Sequence, residues 1–101
     1  MVRMIRKAQI DSSDGARVRT WIGDYTSAMR DMAPAGVDVR SFMQAYGEYG
    51  VAYWTFDAPD LNALDQFLGS FSGNAALGEI LKAGSALFVS GQTKDVLLKE
   101  V

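Results

Sequence analysis

Residues 42–56 read FMQAYGEYGVAYWTF, and this stretch contains the pattern that decides the fold. Two runs rich in aromatic and β-branched residues, 37–46 and 51–56, flank the short break Gly47-Glu48-Tyr49-Gly50. A break this short, with glycine at each end, is typical of a β-hairpin when it separates two such runs. We therefore predict two neighbouring antiparallel strands in the middle of the chain.

A strand and a long helix precede this hairpin. Residues 2–10 alternate with a period of two, which predicts a strand, and the segment DSSDG at 11–15 supplies turn residues and helix N-caps. From Val18 to Met32, apolar residues recur at spacings of three and four, the pattern of an amphipathic helix. Pro34 and Gly36 then predict that this helix ends near Met32.

A second helical region and a last strand follow the hairpin. The segment 57–60, DAPD, predicts a helix start with a carboxylate cap and a proline in the first turn. Apolar residues keep a helical spacing through 61–71, an interruption falls at 72–74, and the spacing resumes to 88, although residues 85–90 fit a strand as well. Residues 94–101 are rich in Val and Leu and predict the last strand.

These elements give the order β-α-β-β-α-β in a single domain spanning residues 1–101, since a chain of this length has material for one core. Right-handed connections between elements in this order produce an α+β fold, a four-stranded antiparallel sheet with both helices on one face. The other face of the sheet has no helix to cover it.

Both alternating phases of the hairpin strands nevertheless carry large apolar side chains. In the first strand, Val39 belongs to one phase and Phe42 to the other. In the second strand, Tyr53 and Trp54 likewise belong to different phases. A sheet that faces water on one side usually alternates apolar with polar residues. A large apolar patch on a monomer marks an interface, so we predict a homodimer formed through the helix-free face.

Composition excludes several classes of function. The chain has no cysteine and no histidine, so we expect no disulfide, no metal site and no cofactor held by those side chains. The net charge is −2 with scattered acidic residues, which argues against nucleic acid as a partner. Arg3, Arg6 and Lys7 interrupt the N-terminal apolar stretch, and no long apolar window follows, so we expect a cytoplasmic location without membrane association.

Arg6 is the first candidate site residue, because it shares its strand phase with apolar residues and could be partly buried. A buried guanidinium can orient a carboxylate, enolate or phenolate, and an intramolecular ion pair is the favoured alternative.

A second candidate site is the row Arg40, Gln44, Tyr46 and Glu48, which could present polar groups to a ligand. The favoured alternative is that this row forms the polar rim of a dimer interface.

An aromatic pocket is the third candidate site. Its members would be the tryptophans and tyrosines of the long helix and the second hairpin strand, together with one phenylalanine: Trp21, Tyr25, Tyr53, Trp54 and Phe56. Aromatic residues at these spacings more often belong to a core, which is the favoured alternative. A ligand cleft between sheet and helices, lined by Arg6, Trp21 and Trp54, would favour the pocket, whereas side chains that fill this space would favour the core.

The patterns RMIRKAQI, WIGDYTSAM, FMQAYGEYGVAYWTF, FDAPDLNALDQFL and VLLKEV, in this order, resemble the dimeric α/β-barrel superfamily of ferredoxin-like domains. The chain is most similar to the small stand-alone members, the antibiotic-biosynthesis-monooxygenase-like and NIPSNAP-like domains. The resemblance covers nearly the whole chain and implies two sheets packed face to face in a dimer. It implies fold more than function, because one fold hosts many activities.

The superfamily includes cofactor-independent oxygenases, haem-degrading enzymes and isomerases, and this chain lacks the histidine that many haem-binding members use. Two functional hypotheses follow from the resemblance. In the first, the chain is a dimer that binds a small organic molecule and acts as a cofactor-independent oxygenase or isomerase. Its chemistry would proceed through a substrate carbanion, and the groups that position the substrate would be Arg6, Arg40, Gln44 and the tyrosines. The alternative is a non-catalytic binding or assembly domain whose sheet face serves only dimerisation.

Overall fold

The computed structural model describes residues 1–47 and 49–101, so Glu48, a member of the predicted polar row, lies outside the described residues. The strands are β1 (Val2–Gln9), β2 (Asp38–Met43), β3 (Val51–Ala58) and β4 (Lys94–Lys99). The α-helices are α1 (Gly15–Met32), α2 (Leu61–Gly69) and α3 (Ala75–Gly84), and short 3₁₀ turns occupy Ser70–Gly73 and Ser85–Leu87. No helix in this described part of the chain is long and apolar enough to cross a membrane.

The four strands form one antiparallel sheet in the order β2-β3-β1-β4. The hairpin of β2 and β3 is confirmed, and β1 lies between β3 and β4. Together with the helices packed on one face, this is the predicted α+β, ferredoxin-like arrangement.

Helix α1 begins and ends where its sequence predicts. The Oδ1 atom of Asp14 accepts a hydrogen bond from the Arg17 amide (3.1 Å) and caps the N-terminus. Extended backbone angles at Ala33, the residue before Pro34, end the helix after Met32. The predicted apolar stripe is buried, and Met29 has no exposed surface.

The predicted start of the second helical region is wrong by three residues. Asp57 and Ala58 continue β3, where they pair with Arg3 and Val2 of β1. The cap is Asp60, whose Oδ1 accepts from the Ala63 amide (2.8 Å), so the preceding proline lies before the cap and not in the first turn. Pairing with β1 extends the strand further than local sequence preferences indicate.

Strand β2 is shorter than predicted, since it ends at Met43 and leaves Tyr46 in the connection to β3. The Gln44 amide still donates to the Val51 carbonyl (3.0 Å), after which Gly47 and Gly50 adopt positive φ angles of 91° and 71°. Glycine adopts such angles without the steric cost that other residues incur. The chain therefore reverses over residues 44–50.

Residues 85–90, which fitted either a strand or a helix, form neither for their whole length. A 3₁₀ turn covers Ser85–Leu87, and Phe88 then makes an isolated antiparallel bridge with Ile10. The interruption predicted at 72–74 is confirmed, because Asn74 caps α3 by accepting the Leu77 amide on its side chain (2.9 Å). The second helical region is therefore two helices.

The two faces of the sheet differ. The covered face packs against the helices and contains the buried core residues of β1, β2 and β3, including Val2, Met4, Val39, Trp54 and Phe56. Among the described residues, no helix lies on the open face; its side chains, assigned from the strand register, are Arg3, Ile5, Lys7, Gln9, Asp38, Arg40, Phe42, Val51, Tyr53, Thr55, Asp57, Lys94, Val96 and Leu98.

Candidate functional site

Arg6 is a charged residue of β1 on the covered face, where its neighbours across the sheet are Trp54 of β3 and Asp95 of β4. Its Nε and Nη2 atoms donate to the two carboxylate oxygens of Asp95 at 2.9 and 3.0 Å. This bidentate ion pair is the favoured alternative from the sequence, and its planar geometry fixes the guanidinium. The Arg6 side chain is 26 % exposed, so it also contacts the space beside the pair.

Four aromatic rings surround that space. Trp21 stacks on Tyr25 with ring centroids 4.9 Å apart, and Trp54 and Phe88 meet Trp21 in edge or tilted contacts at 6.3 and 5.1 Å. The indole N–H groups are bonded within the protein: Trp21 Nε1 donates to the Ile80 carbonyl (2.7 Å), and Trp54 Nε1 donates to a hydroxyl of α1 (3.2 Å). The aromatic walls are therefore held in place by hydrogen bonds as well as by packing.

A cleft of about 170 Å³ lies between the sheet and the helices. Arg6, Trp21, Tyr25, Trp54 and Phe88 line it, together with residues of α3 and of the segment before β4. The structure thus brings together four of the predicted site residues, two of them from the sheet and two from α1. The cleft contrasts with the rest of the covered face, where apolar side chains fill the interior.

Tyr25 supplies the phenol group of the cleft. The residue exposes only 3 % of its surface, and this burial raises the pKa of Tyr25 above its ordinary value. The nearby Arg6 guanidinium acts in the opposite direction and lowers that pKa, while Asp95 raises it. Because burial has the largest effect, the phenol stays protonated at neutral pH and can donate a hydrogen bond.

The chemistry available in the cleft is that of orientation and charge stabilisation. A guanidinium has five N–H donors, so Arg6 can donate to a ligand oxygen while it holds Asp95. Flat apolar walls with one fixed polar group suit a planar organic molecule that carries an oxygen atom. The groups that face the cleft are better suited to stabilising a developing oxyanion than to removing a proton near neutral pH.

The other predicted site residues lie away from this cleft. The Tyr53 hydroxyl donates to Gln44 Oε1 (2.8 Å), with Tyr53 on the open face, and Arg40 Nε donates to Asp38 Oδ2 (2.8 Å) on the same face. Tyr46 lies beyond β2 and is 92 % exposed. The predicted grouping of Tyr53 with Trp54 in one pocket is wrong, because adjacent residues of a strand point to opposite faces.

Phe56, the remaining member of the predicted aromatic group, is a core residue. It is fully buried and packs against Phe67 of α2, with ring centroids 6.3 Å apart, so it contributes to the core and not to the cleft lining. Sequence reasoning missed Asp95, Gly84 and Phe88 of the site. Two glycines, Gly78 and Gly84, interrupt the helical pattern of this segment, and nothing in the local sequence distinguishes the one that belongs to the site.

The open face combines apolar residues with ion pairs. Phe42, Val96 and Leu98 are 50, 52 and 46 % exposed. Arg3 and Asp57 form a bidentate pair at 2.7 and 2.9 Å beside them. This pair lowers the pKa of Asp57, chiefly through the hydrogen bonds from Arg3. The apolar residues predicted in both phases of the strands are therefore present on both faces.

No family model and no curated protein matches the chain. Solved structures do match it. An uncharacterised NIPSNAP domain protein from Burkholderia xenovorans superposes with a TM-score of 0.82 at 10 % identity, over 100 % of this chain and 95 % of that one. A structure described as an antibiotic biosynthesis monooxygenase gives a TM-score of 0.73 at 16 % identity, over 100 % and 99 % of the two chains.

A third similar structure is SnoaB from Streptomyces nogalater, described as a cofactor-independent oxygenase. It has a TM-score of 0.69 at 10 % identity, over 98 % of this chain and 91 % of that one. These matches confirm the resemblance in fold to NIPSNAP-type and antibiotic-biosynthesis-monooxygenase-type domains. At such identities the likeness concerns the fold, so the function must be argued from the cleft.

Proposed function

We propose that this protein binds a small planar organic molecule in the cleft between the sheet and the helices, and that Arg6 and Tyr25 orient an oxygen atom of that molecule. One observation supports the proposal above all: the charged pair Arg6–Asp95 lies on the mainly apolar covered face and borders the aromatic cleft. Burying charged groups is costly, and a ligand site is a physical reason to keep a guanidinium there.

A cofactor-independent oxygenase or isomerase is the activity that this arrangement supports best. In such an oxygenase, an activated CH₂ group of the substrate loses a proton, and the resulting carbanion reduces dioxygen, so that CH₂ and O₂ give C=O and water. Arg6 would stabilise the enolate oxygen of the carbanion, and the protonated Tyr25 would donate to it. Arg40, Gln44, Tyr46 and Tyr53 take no part in this proposal, because they lie outside the cleft lining.

Binding of phenol, followed by amide and indole nitrogen–proton NMR shifts, tests the proposal. We expect saturable shifts at the Trp21 and Trp54 indole signals. Arg6→Gln should weaken phenol binding by about tenfold, the loss expected for one charge-assisted hydrogen bond. Arg3→Gln is the matched control, since Arg3 forms a similar bidentate pair with Asp57 on the open face and should leave binding unchanged. Equal losses in both variants would contradict the proposal.

We further propose that the open face packs against the same face of a second copy of the chain. This is the homodimer that the sequence predicts, and it is the basis of the alternative function as an assembly domain. The half-exposed Phe42, Val96 and Leu98 support this proposal, because burying them removes apolar surface from water.

A cytoplasmic location stays a prediction from the charged N-terminal stretch.

Sedimentation equilibrium tests the pairing, with two variants of equal exposure on β4. Val96 and Leu97 are each 52 % exposed, and they point to opposite faces of the sheet. Val96→Lys should reduce the mass from two chains to one, whereas Leu97→Lys should leave two. A wild-type mass of one chain would contradict the dimer, and a dimer that binds no phenol would favour assembly as the only function.

A further inference from the structure

A second, more open cleft lies next to the proposed binding cleft. Its volume is about 430 Å³, and its lining comes from α1 and from the end of α3 with the turn that follows, including Arg17, Asp24 and Leu87. Among the described residues that line the two clefts, Trp21 is the one common to both. The Trp21 side chain therefore stands between the two spaces.

Contacts on several sides hold the Trp21 ring in this position. Tyr25 stacks on one face of it, Phe88 lies against it at 5.1 Å, and the Ile80 carbonyl accepts its N–H at 2.7 Å. The indole also lies on the backbone of Gly84, where any Cβ atom would overlap the Cε2, Nε1 and Cζ2 atoms of the ring. The Trp21 indole, packed directly against the backbone of Gly84, thus separates the two clefts.

The need for glycine at position 84 comes from this contact and not from the backbone. Gly84 has φ −90° and ψ −8°, so its φ is negative and the left-handed conformation that favours glycine is not needed here. Glycine also destabilises a helix relative to alanine, so its use at the last position of α3 carries a cost. Space for the Trp21 indole is the physical reason that the structure shows.

The volume of the binding cleft limits what it can hold. Ligand pockets for drug-sized molecules usually measure about 300–1,000 Å³. A cavity of about 150 Å³ accommodates benzene. The cleft beside Arg6, at about 170 Å³, therefore suits a single ring, and the space for a longer ligand lies behind Trp21.

We propose that Trp21, seated on Gly84, determines ligand length in this protein, so that the cleft accepts one aromatic ring and excludes a second. This inference rests on the proposed binding function and adds a specificity-determining residue to it. The prediction concerns a ratio, the dissociation constant for phenol divided by that for 2-naphthol, which carries the same hydroxyl on two fused rings.

Two variants should change binding in opposite directions. Trp21→Phe removes the second ring of the wall and should raise the ratio by about tenfold, because the second ring of 2-naphthol then becomes buried. Gly84→Ala should push the indole away from α3 and weaken the binding of both compounds by at least about tenfold. Both constants are measured by NMR titration, with the indole signals as a check that each variant is folded.

Trp54→Phe is the matched control, because it removes the same ring from a wall that the second cleft does not share. Its ratio should rise less than that of Trp21→Phe, because the volume that it adds stays within the first cleft and does not connect with the second one. If phenol binds the wild type and Trp21→Phe leaves the ratio unchanged, the length-determining role of Trp21 is wrong while the binding function stands. If phenol shifts no cleft signal in the wild type, the binding function fails and this inference fails with it.

Discussion

The covered face and the open face of the sheet come from the same four strands, and they differ in how they treat charge. On the covered face, the apolar residues of β1 and β3 are buried among the helices, and the ion pair Arg6–Asp95 borders a cleft. On the open face, the ion pair Arg3–Asp57 lies beside apolar residues that remain half exposed. On the covered face, the charged pair Arg6–Asp95 therefore joins the interior strand β1 to the edge strand β4.

This difference shows which face is complete within one chain. The core of the covered face has its partners in α1, α2 and α3, so its free energy of burial is already realised. The half-exposed apolar side chains of the open face, such as Phe42, contribute less to the stability of the single chain, and under the proposed pairing a second copy would bury them. Variants that place the same chemical change on each face therefore separate monomer stability from association and binding.

The largest expected effect comes from deleting a phenylalanine ring on each face. Phe56→Ala removes a fully buried ring that packs on Phe67, and it should lower the free energy of unfolding by about 3–5 kcal/mol. Phe42→Ala, at a ring that is 50 % exposed, should cost under about 1 kcal/mol of monomer stability. Urea denaturation at several protein concentrations measures both.

Concentration dependence is the control in that experiment. In an associating protein, dilution lowers the unfolding midpoint, and Phe42→Ala should reduce this dependence while Phe56→Ala keeps it. Similar losses of monomer stability at the two positions would contradict the distinction between a complete face and an incomplete one.

A smaller effect is expected from the two ion pairs, which share bidentate geometry and differ in their surroundings. A double-mutant cycle of Arg6→Met and Asp95→Ala should give a coupling energy of about 1 kcal/mol or more, because the Arg6 side chain is 26 % exposed, against 45 % for Arg3. The corresponding cycle of Arg3→Met and Asp57→Ala should give a smaller coupling energy in the monomer, because solvent screens the exposed Arg3. A larger coupling on the open face would reverse the comparison.

Sequence patterns were sufficient for the order of elements and for most of the cleft walls. The alternation of residues 2–10 placed Arg6 with the core phase, and the helical spacing of α1 placed Trp21 and Tyr25 together. Asp95 could not be predicted as the partner of Arg6. Their contact joins residues 89 positions apart, and it depends on the register between β1 and β4, which local preferences do not determine.

The errors at the site have a similar cause. Tyr53 and Trp54 are neighbours in the chain, and the alternation of a strand places their side chains on opposite faces. Grouping them because both are aromatic was therefore wrong, whereas the period of two along the strand predicts their separation. The role of Gly84 was invisible because it depends on the indole of Trp21, which belongs to another helix. Contacts between elements, more than the elements themselves, define the site.

The smallest expected effect concerns acid stability and the open face alone. The Arg3 guanidinium lowers the pKa of Asp57 in the folded chain, so the folded state favours the ionised carboxylate. The stabilisation is therefore complete above the ordinary aspartate pKa of about 3.9, and it is lost as the pH falls through the lowered value. Because Arg3 is exposed and solvent screens the pair, we expect its contribution to stability to be small.

Asp57→Asn should remove this contribution, so that the variant is less stable than the wild type at neutral pH and the two converge in acid. Asp65→Asn removes an exposed carboxylate of α2 and serves as the control. Free energies of unfolding measured by denaturation from neutral pH down to acid give the comparison. A difference between wild type and Asp57→Asn that stays constant over that range would mean that the pair with Arg3 does not stabilise the folded chain through its charge, and the mixed character of the open face would then need another physical explanation.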